Sequence, residues 1–346
     1  MKKTKEIAML VDIRKQPEKY MRGKNFQWLL QLFSRHLLGM AVQEGMNWRY
    51  PRQIEIAEKD AVWSIKVTGV NCCPDQFGLA SENLLILQRA KTLAFPLCCL
   101  EMQLVSALSN TARFLLSRNN QTTIVTTEKG WIKDVQTNNA VAEEAWQIVF
   151  SPDAECFSSP YMSSISEFHM ELFRFACNFP DVTIKFGDRI FHERGGMACY
   201  LQTITPNPIL KAGVVRRYHD SNGSFYLAYC FYESLESRIV SFVNGHETYR
   251  GGTHVKMLKR AFRDALLDSL GSQARNLLDT GFYAALAIQL KDACFADYLQ
   301  ESLANKLPEE MYDSFRNYFT REIKDSEELF LYLKNKMKCK KHQGKQ

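Results

Sequence analysis

Between Ser224 and Leu290 three strand-length apolar runs accompany one amphipathic helix, and that order confines this part of the chain to a sheet with a helical layer on it. Ser224 to Tyr232 is a near-continuous apolar and aromatic run, Arg238 to Val243 is a second and Phe282 to Leu290 a third. The helix runs from His254 to Leu270. Val255, Leu258, Phe262, Ala265 and Leu266 share one face, while Lys256, Lys259, Arg260 and Arg263 occupy the other. Gly251-Gly252-Thr253 opens it, with two glycines for a tight strand-to-helix turn and Thr253 as the expected N-cap.

The N-terminal half mixes the same two periods. Phe26 to Val42 carries apolar residues on every turn and reads as a buried helix. Gln53 to Ala57 and Ala61 to Val67 read as a hairpin about Glu58-Lys59-Asp60. Ser81 to Leu93 and Leu97 to Leu108 read as helices parted by Phe95-Pro96, since proline disfavours helix in the residue before it. Strands follow at Arg113 to Ser117, Gln121 to Thr127 and Ile148 to Phe150. After them come a helix at Ile165 to Cys177 and a hairpin within Val182 to His192 that turns at Gly187-Asp188. Asn317 to Asn335 reads as a charged, mostly helical end. The class expected is α+β, with two layered domains at residues 1–200 and 201–335 and a basic tail at 336–346.

Composition narrows the setting. With 46% apolar and 24% charged residues in 346, this is a water-soluble globular chain. The longest apolar runs, Phe95 to Leu100 and Phe282 to Leu290, fall short of the roughly 20 residues a membrane span needs. The 10 cysteines lack zinc-site spacing and no apolar leader precedes them, so reduced thiols in the cytoplasm are expected. The net charge of +6 comes from Leu331 to Gln346, which holds six lysines and no acid; the remainder has 38 basic and 38 acidic residues. That tail reads as a frayed, solubilising end that could also touch nucleic acid.

Two segments carry a family resemblance. Ser241-Phe242-Val243-Asn244, followed by Gly251-Gly252-Thr253-His254, resembles the SFVNN and EGGTH pattern of the transducer segment in the B-subunit of DNA gyrase and its topoisomerase IV counterpart. Ile148 to Phe157, IVFSPDAECF, is similar to that family's IxFxPDxEIF. Between and around them, Ile13 to Tyr20 looks like the opening VRKRPGMYIG, Leu104 to Ser109 like VVNALS, and Gly281 to Asn305 like the strand and loop that close the transducer. The resemblance implies a Bergerat-type (GHKL) ATPase-like sandwich followed by a transducer like ribosomal protein S5 domain 2. The family's metal-binding Toprim domain finds no room in these residues, so this chain alone is not expected to cleave DNA.

The chemistry that the resemblance implies is missing from the matching positions. The family's general base falls on Leu32, which cannot accept a proton, and its Mg²⁺ ligand falls on His36. The adenine-reading DNGRGIP motif falls on Gly69 to Pro74, where only Asn71 or the nearby Asp75 could substitute. The glycine loop that cradles phosphates falls on Pro96 to Met102, with side chains in the anion's space and Glu101 opposing its charge. The lysine-bearing QTK loop falls on Tyr298-Leu299-Gln300, with Glu301 after it. A pseudo-ATPase is therefore expected, without catalytic residues, cofactor or metal, that binds a topoisomerase subunit or a second copy of itself in DNA topology. Two alternatives stand beside it. One is a divergent ATP- and Mg²⁺-binding topoisomerase subunit that uses Glu44 or His36 as base and works with a separate cleavage subunit. The other is a DNA-binding protein that uses Lys256, Lys259, Arg260 and Arg263 together with Lys338, Lys340 and Lys341. Gly251 to His254 fits a folding role, with His254 as a candidate functional group.

Overall fold

The computed structural model describes residues 10–21, 53–68, 104–118, 120–139, 145–157, 165–219, 223–232, 234, 236–290, 293–297 and 300–343. They form two compact units, Met1–Arg194 and Gly195–Gln346, meeting six residues before the expected boundary at 200. The reason is a helix that sequence reading passes over, Met197–Ile204, whose Tyr200 packs edge-on to Phe242 of the second unit at 5.3 Å.

In the first unit the strands are β1 (Gln53–Lys59), β2 (Val62–Thr68), β3 (Ser109–Arg118), β4 (Gln121–Glu128), β5 (Trp131–Asn139), β6 (Ala145–Pro152), β7 (Thr183–Phe186) and β8 (Arg189–Phe191). Helix α1 (Ile165–Asn178) precedes β7. The sheet order is β5-β4-β3-β6-β2-β1-β7-β8, antiparallel except where β7 lies parallel to β1 after the crossover through α1. The expected hairpin turns later than Glu58, at Asp60-Ala61, because both take positive φ (53° and 60°), the geometry that matches strand twist. Alternating Ile54, Ile56, Trp63, Ile65 and Val67 point into the core, where Trp63 stacks on Phe186 at 6.1 Å and meets Phe168 edge-on at 6.2 Å. The expected helix at Phe26 to Val42 and most of the pair at 81–108 lie outside the described residues; 104–107 is helical.

The second unit begins with α2 (Met197–Ile204) and adds β9 (Leu210–His219), β10 (Gly223–Phe231), β11 (Arg238–Val243), β12 (His246–Glu247), α3 (Thr253–Leu270) and β13 (Phe282–Leu290). Its sheet runs β12-β11-β13-β10-β9, with β11 parallel to β13. The apolar stripe of α3 covers it, with Phe262 at 5.0 Å from Phe282 and stacked at 4.0 Å on Phe319 of α4 (Glu309–Asp325). The charged end is two helices instead of one. The second, α5 (Glu327–Gln343), starts after Ser326, whose Oγ accepts the Leu329 N–H at 3.2 Å. The expected tail at 336–346 therefore begins inside a helix. Leu329 and Leu333 anchor α5 in the core, the Lys336 ammonium donates to the Thr280 carbonyl, and acids at the start with lysines at the end suit the helix dipole. No helix among the described residues is long and apolar enough to cross a membrane.

Candidate functional site

Leu32, His36, Glu44, Asn71, Asp75 and Pro96 to Met102, the positions matched to the nucleotide pocket, lie outside the described residues, as do Tyr298 and Leu299. What the structure describes is the Gly251–His254 turn, the loop that docks on it, and the junction of three anchor segments in the first unit.

The turn starts where β11 ends. Asn244 (φ 51°) and Gly245 (φ 84°) make a two-residue hairpin into β12, a connection that the Asn-Gly pair signals and that was not expected from sequence. Asn244 then stitches the end of β13: its Nδ2 donates to the Leu290 carbonyl at 2.9 Å and its Oδ1 accepts the Leu290 N–H at 2.8 Å. The kept SFVN segment is thereby explained by folding.

At the GGTH turn, the Arg250 N–H donates to the Glu301 carbonyl (2.9 Å), the Leu303 N–H to the Gly251 carbonyl (3.0 Å) and the Thr253 N–H to the Leu303 carbonyl (3.1 Å). Leu303 approaches so closely that a Cβ on Gly252 would lie 2.4 Å from its backbone N and O. Thr253 is therefore not the N-cap. Gly252 holds that position at φ 129° without a side-chain cap, the Leu303 carbonyl takes the N–H of the first helical residue, and Thr253 Oγ1 is buried without a partner among the described residues.

His254 is fully buried. Its Nε2 lies 3.2 Å from Thr248 Oγ1, which itself lies 2.6 Å from Ser241 Oγ, while Nδ1 has no partner among the described residues. Burial penalises the charged imidazolium and lowers the pKa from 6.5 to about 4. His254 is thus a neutral core residue at neutral pH. Because an unfolded chain binds that proton at about 6.5 and the native one does not, the stability contributed is complete above pH 6.5 and is lost as pH falls towards 4, up to about 3 kcal/mol. Urea titrations between pH 7 and 4 should show this slope in the native protein and its absence in His254→Gln; equal slopes would refute the assignment.

The docking loop keeps its base. Phe295 and Leu303 form an antiparallel bridge, the Ala296 N–H donates to the Ser302 carbonyl at 2.9 Å and the Ala304 N–H to the Cys294 carbonyl at 2.8 Å. At its tip Gln300 is buried at φ 58°, and the Glu301 carboxylate is held 3.0 Å from the Arg250 guanidinium. The described part of this loop presents no cation.

In the first unit three of the resemblance segments meet at Asp153, a contact not foreseen from sequence. Arg14 donates from Nη2 to Asp153 Oδ2 and from Nη1 to the Ala107 carbonyl, both at 2.6 Å. Asp153 Oδ1 also accepts the Glu155 N–H at 3.1 Å, and Lys129 stands 3.4 Å away. Burial would raise the Asp153 pKa, but the Arg14 and Glu155 hydrogen bonds and the two cations outweigh it and hold the carboxyl below the usual range.

Of the basic positions on α3, Lys256 and Lys259 are exposed and Arg263 half-buried. Arg260 is engaged, 4.4 Å over the Tyr312 ring and 3.8 Å from both Asp264 and Glu309. Lys338 is exposed on α5, and the side chains of Lys340 and Lys341 lie outside the description.

A mixed-sheet ATPase-like sandwich followed by a helix-covered transducer sheet is the GHKL-type architecture of the ATPase region of type II topoisomerases. Solved structures of that class superpose on the chain. The B-subunit of DNA gyrase from Myxococcus xanthus does so with TM-score 0.72 at 19% identity, covering 94% of this chain and 99% of that one. The topoisomerase IV ATP-binding domain of Francisella tularensis, solved with a small-molecule inhibitor, gives TM-score 0.74 at 17% identity over 95% of each chain. Within the class, residues 196–345 match the DNA gyrase B family, and the B-subunit of DNA topoisomerase 4 from Borreliella burgdorferi is 25% identical over 202 residues, 58% of this chain and 33% of that protein. Residues 196–345 thus resemble DNA gyrase B, and the chain spans about a third of the length of the curated relative it matches.

Proposed function

We propose that this chain is a pseudo-ATPase, a gyrase B-like scaffold that neither binds ATP and Mg²⁺ productively nor hydrolyses ATP, and that acts in the cytoplasm by binding a topoisomerase subunit or a second copy of itself. The observation that carries the reading is the docking loop. Its base holds to the GGTH turn as a folding unit, while its tip offers a buried Gln300 and a paired Glu301 where the resemblance places a phosphate-reaching lysine. The substitutions at Leu32 and at Pro96 to Met102 support it from sequence. A DNA contact would fall to Lys256, Lys259 and Arg263, since Arg260 is committed to Tyr312 and its acids.

The test is the melting temperature with Mg²⁺ and a non-hydrolysable ATP analogue. A ligand at a hundred times its dissociation constant adds about 2.7 kcal/mol, a shift of several degrees. No shift is expected at millimolar analogue. A clear shift would replace the proposal with the divergent ATP-binding alternative.

A further inference from the structure

In the second unit a groove of about 340 Å³ opens where the N-terminal ends of the parallel strands β11 and β13 meet the basic face of α3. Ile239 and Phe282 give it an apolar floor. Lys259 and Arg263, one turn apart on α3, line it together with Glu236 just before β11 and Asp279 just before β13. None of these four charged side chains has an ion pair or side-chain hydrogen bond among the described residues. This is not a general property of the helix, because Arg260 between them is paired. The two acid-bearing segments are tied to each other: Ser237 Oγ donates to the Leu278 carbonyl and accepts the Phe282 N–H at 3.0 Å.

Two cations and two acids that leave each other unneutralised around an apolar floor match a ligand with both charges. A polyanion would meet Glu236 and Asp279, and a polycation would meet Lys259 and Arg263. The volume falls in the range of about 300–1,000 Å³ typical of small-molecule sites. We infer that the groove binds a small zwitterion of amino-acid type with an apolar side chain, its carboxylate towards Lys259 and Arg263, its ammonium towards Glu236 and Asp279, and its side chain over Ile239 and Phe282. The site lies within the second unit.

Calorimetric titration of the full chain with leucine, with isocaproate and with isoamylamine tests this, since the last two are leucine without its ammonium and without its carboxylate. Leucine should bind at least about tenfold more tightly than either, the factor that losing one charge-assisted contact costs. A Lys259→Gln, Arg263→Gln double variant should bind leucine no better than isoamylamine, and a Glu236→Gln, Asp279→Asn double variant no better than isocaproate. Unchanged melting temperatures would show that these surface changes leave the fold intact. Equal affinity for all three compounds, indifference to both double variants, or a leucine dissociation constant above roughly 10 mM would overturn the inference.

Discussion

Gly252→Ala should lower the stability of the second unit by about 4 kcal/mol, combining the roughly 1–3 kcal/mol of a strained backbone with the roughly 1–3 kcal/mol of overpacking. The backbone at φ 129° resists a side chain, and the Cβ would meet the Leu303 N and O at 2.4 Å, where main chain rather than a flexible side chain would have to move. Moving Leu303 breaks the bonds to Gly251 and Thr253 together, so the docking loop should detach with the turn. Gly271→Ala is the control. It too has positive φ (81°), yet nothing lies within 4 Å of its added Cβ, so strain alone should cost about 1 to 2 kcal/mol. Urea denaturation followed by far-ultraviolet circular dichroism measures both, and equal losses would show that close approach does not set the requirement for glycine.

Asp153→Ala should cost about 3 kcal/mol at pH 7, the lower end for breaking a buried pair because Arg14 keeps some solvent access. The loss leaves a guanidinium facing the Ala107 carbonyl with only the exposed Glu155 carboxylate, 3.7 Å away, as counter-charge, and an unpaired Glu155 N–H. Because the native pKa is held below the unfolded value of 3.8, the carboxylate's contribution is complete above that value and disappears as pH falls through the native one. The gap between native protein and variant should therefore be constant from pH 7 to 5 and shrink below pH 4. A gap that persists undiminished at pH 2.5 would trace the loss to packing instead. The acid-side decline from His254 begins higher, from pH 6.5, so the two windows can be separated.

Much of the fold was legible because strong periodic runs landed in the core. The hairpins at Gln53–Thr68 and Thr183–Phe191 and the helix α3 follow patterns with one clear period, and β10, β11 and β13 are strand-length apolar runs. β5 was missed because only Trp131, Ile132 and Val135 break an otherwise polar WIKDVQTNN, a strand whose residues are almost all exposed. The eight-residue α2 is too short for its period to show. The site was less legible for a different reason. Asp153 and Arg14 are 139 positions apart, and Thr253 reads as a cap until Leu303, from a distant loop, is seen to take its N–H. The substitutions in the nucleotide pocket remain a reading of sequence, since their positions lie outside the described residues.

β5 closes the eight-strand sheet as its outermost member, nine residues long, without proline. A straight border of that length is a template for another chain, and in a crowded cell it invites self-templated growth into insoluble assemblies. Opposite Thr126 and Thr127 the register slips, leaving Lys133 as an extra residue whose ammonium lies 2.9 Å from Glu128 at the surface. The bend and the charge make the border a poor mould for a second copy. Protection here comes from deforming the rim of the sheet, and a deletion that straightened it at Lys133 would trade a single lysine for a propensity to precipitate.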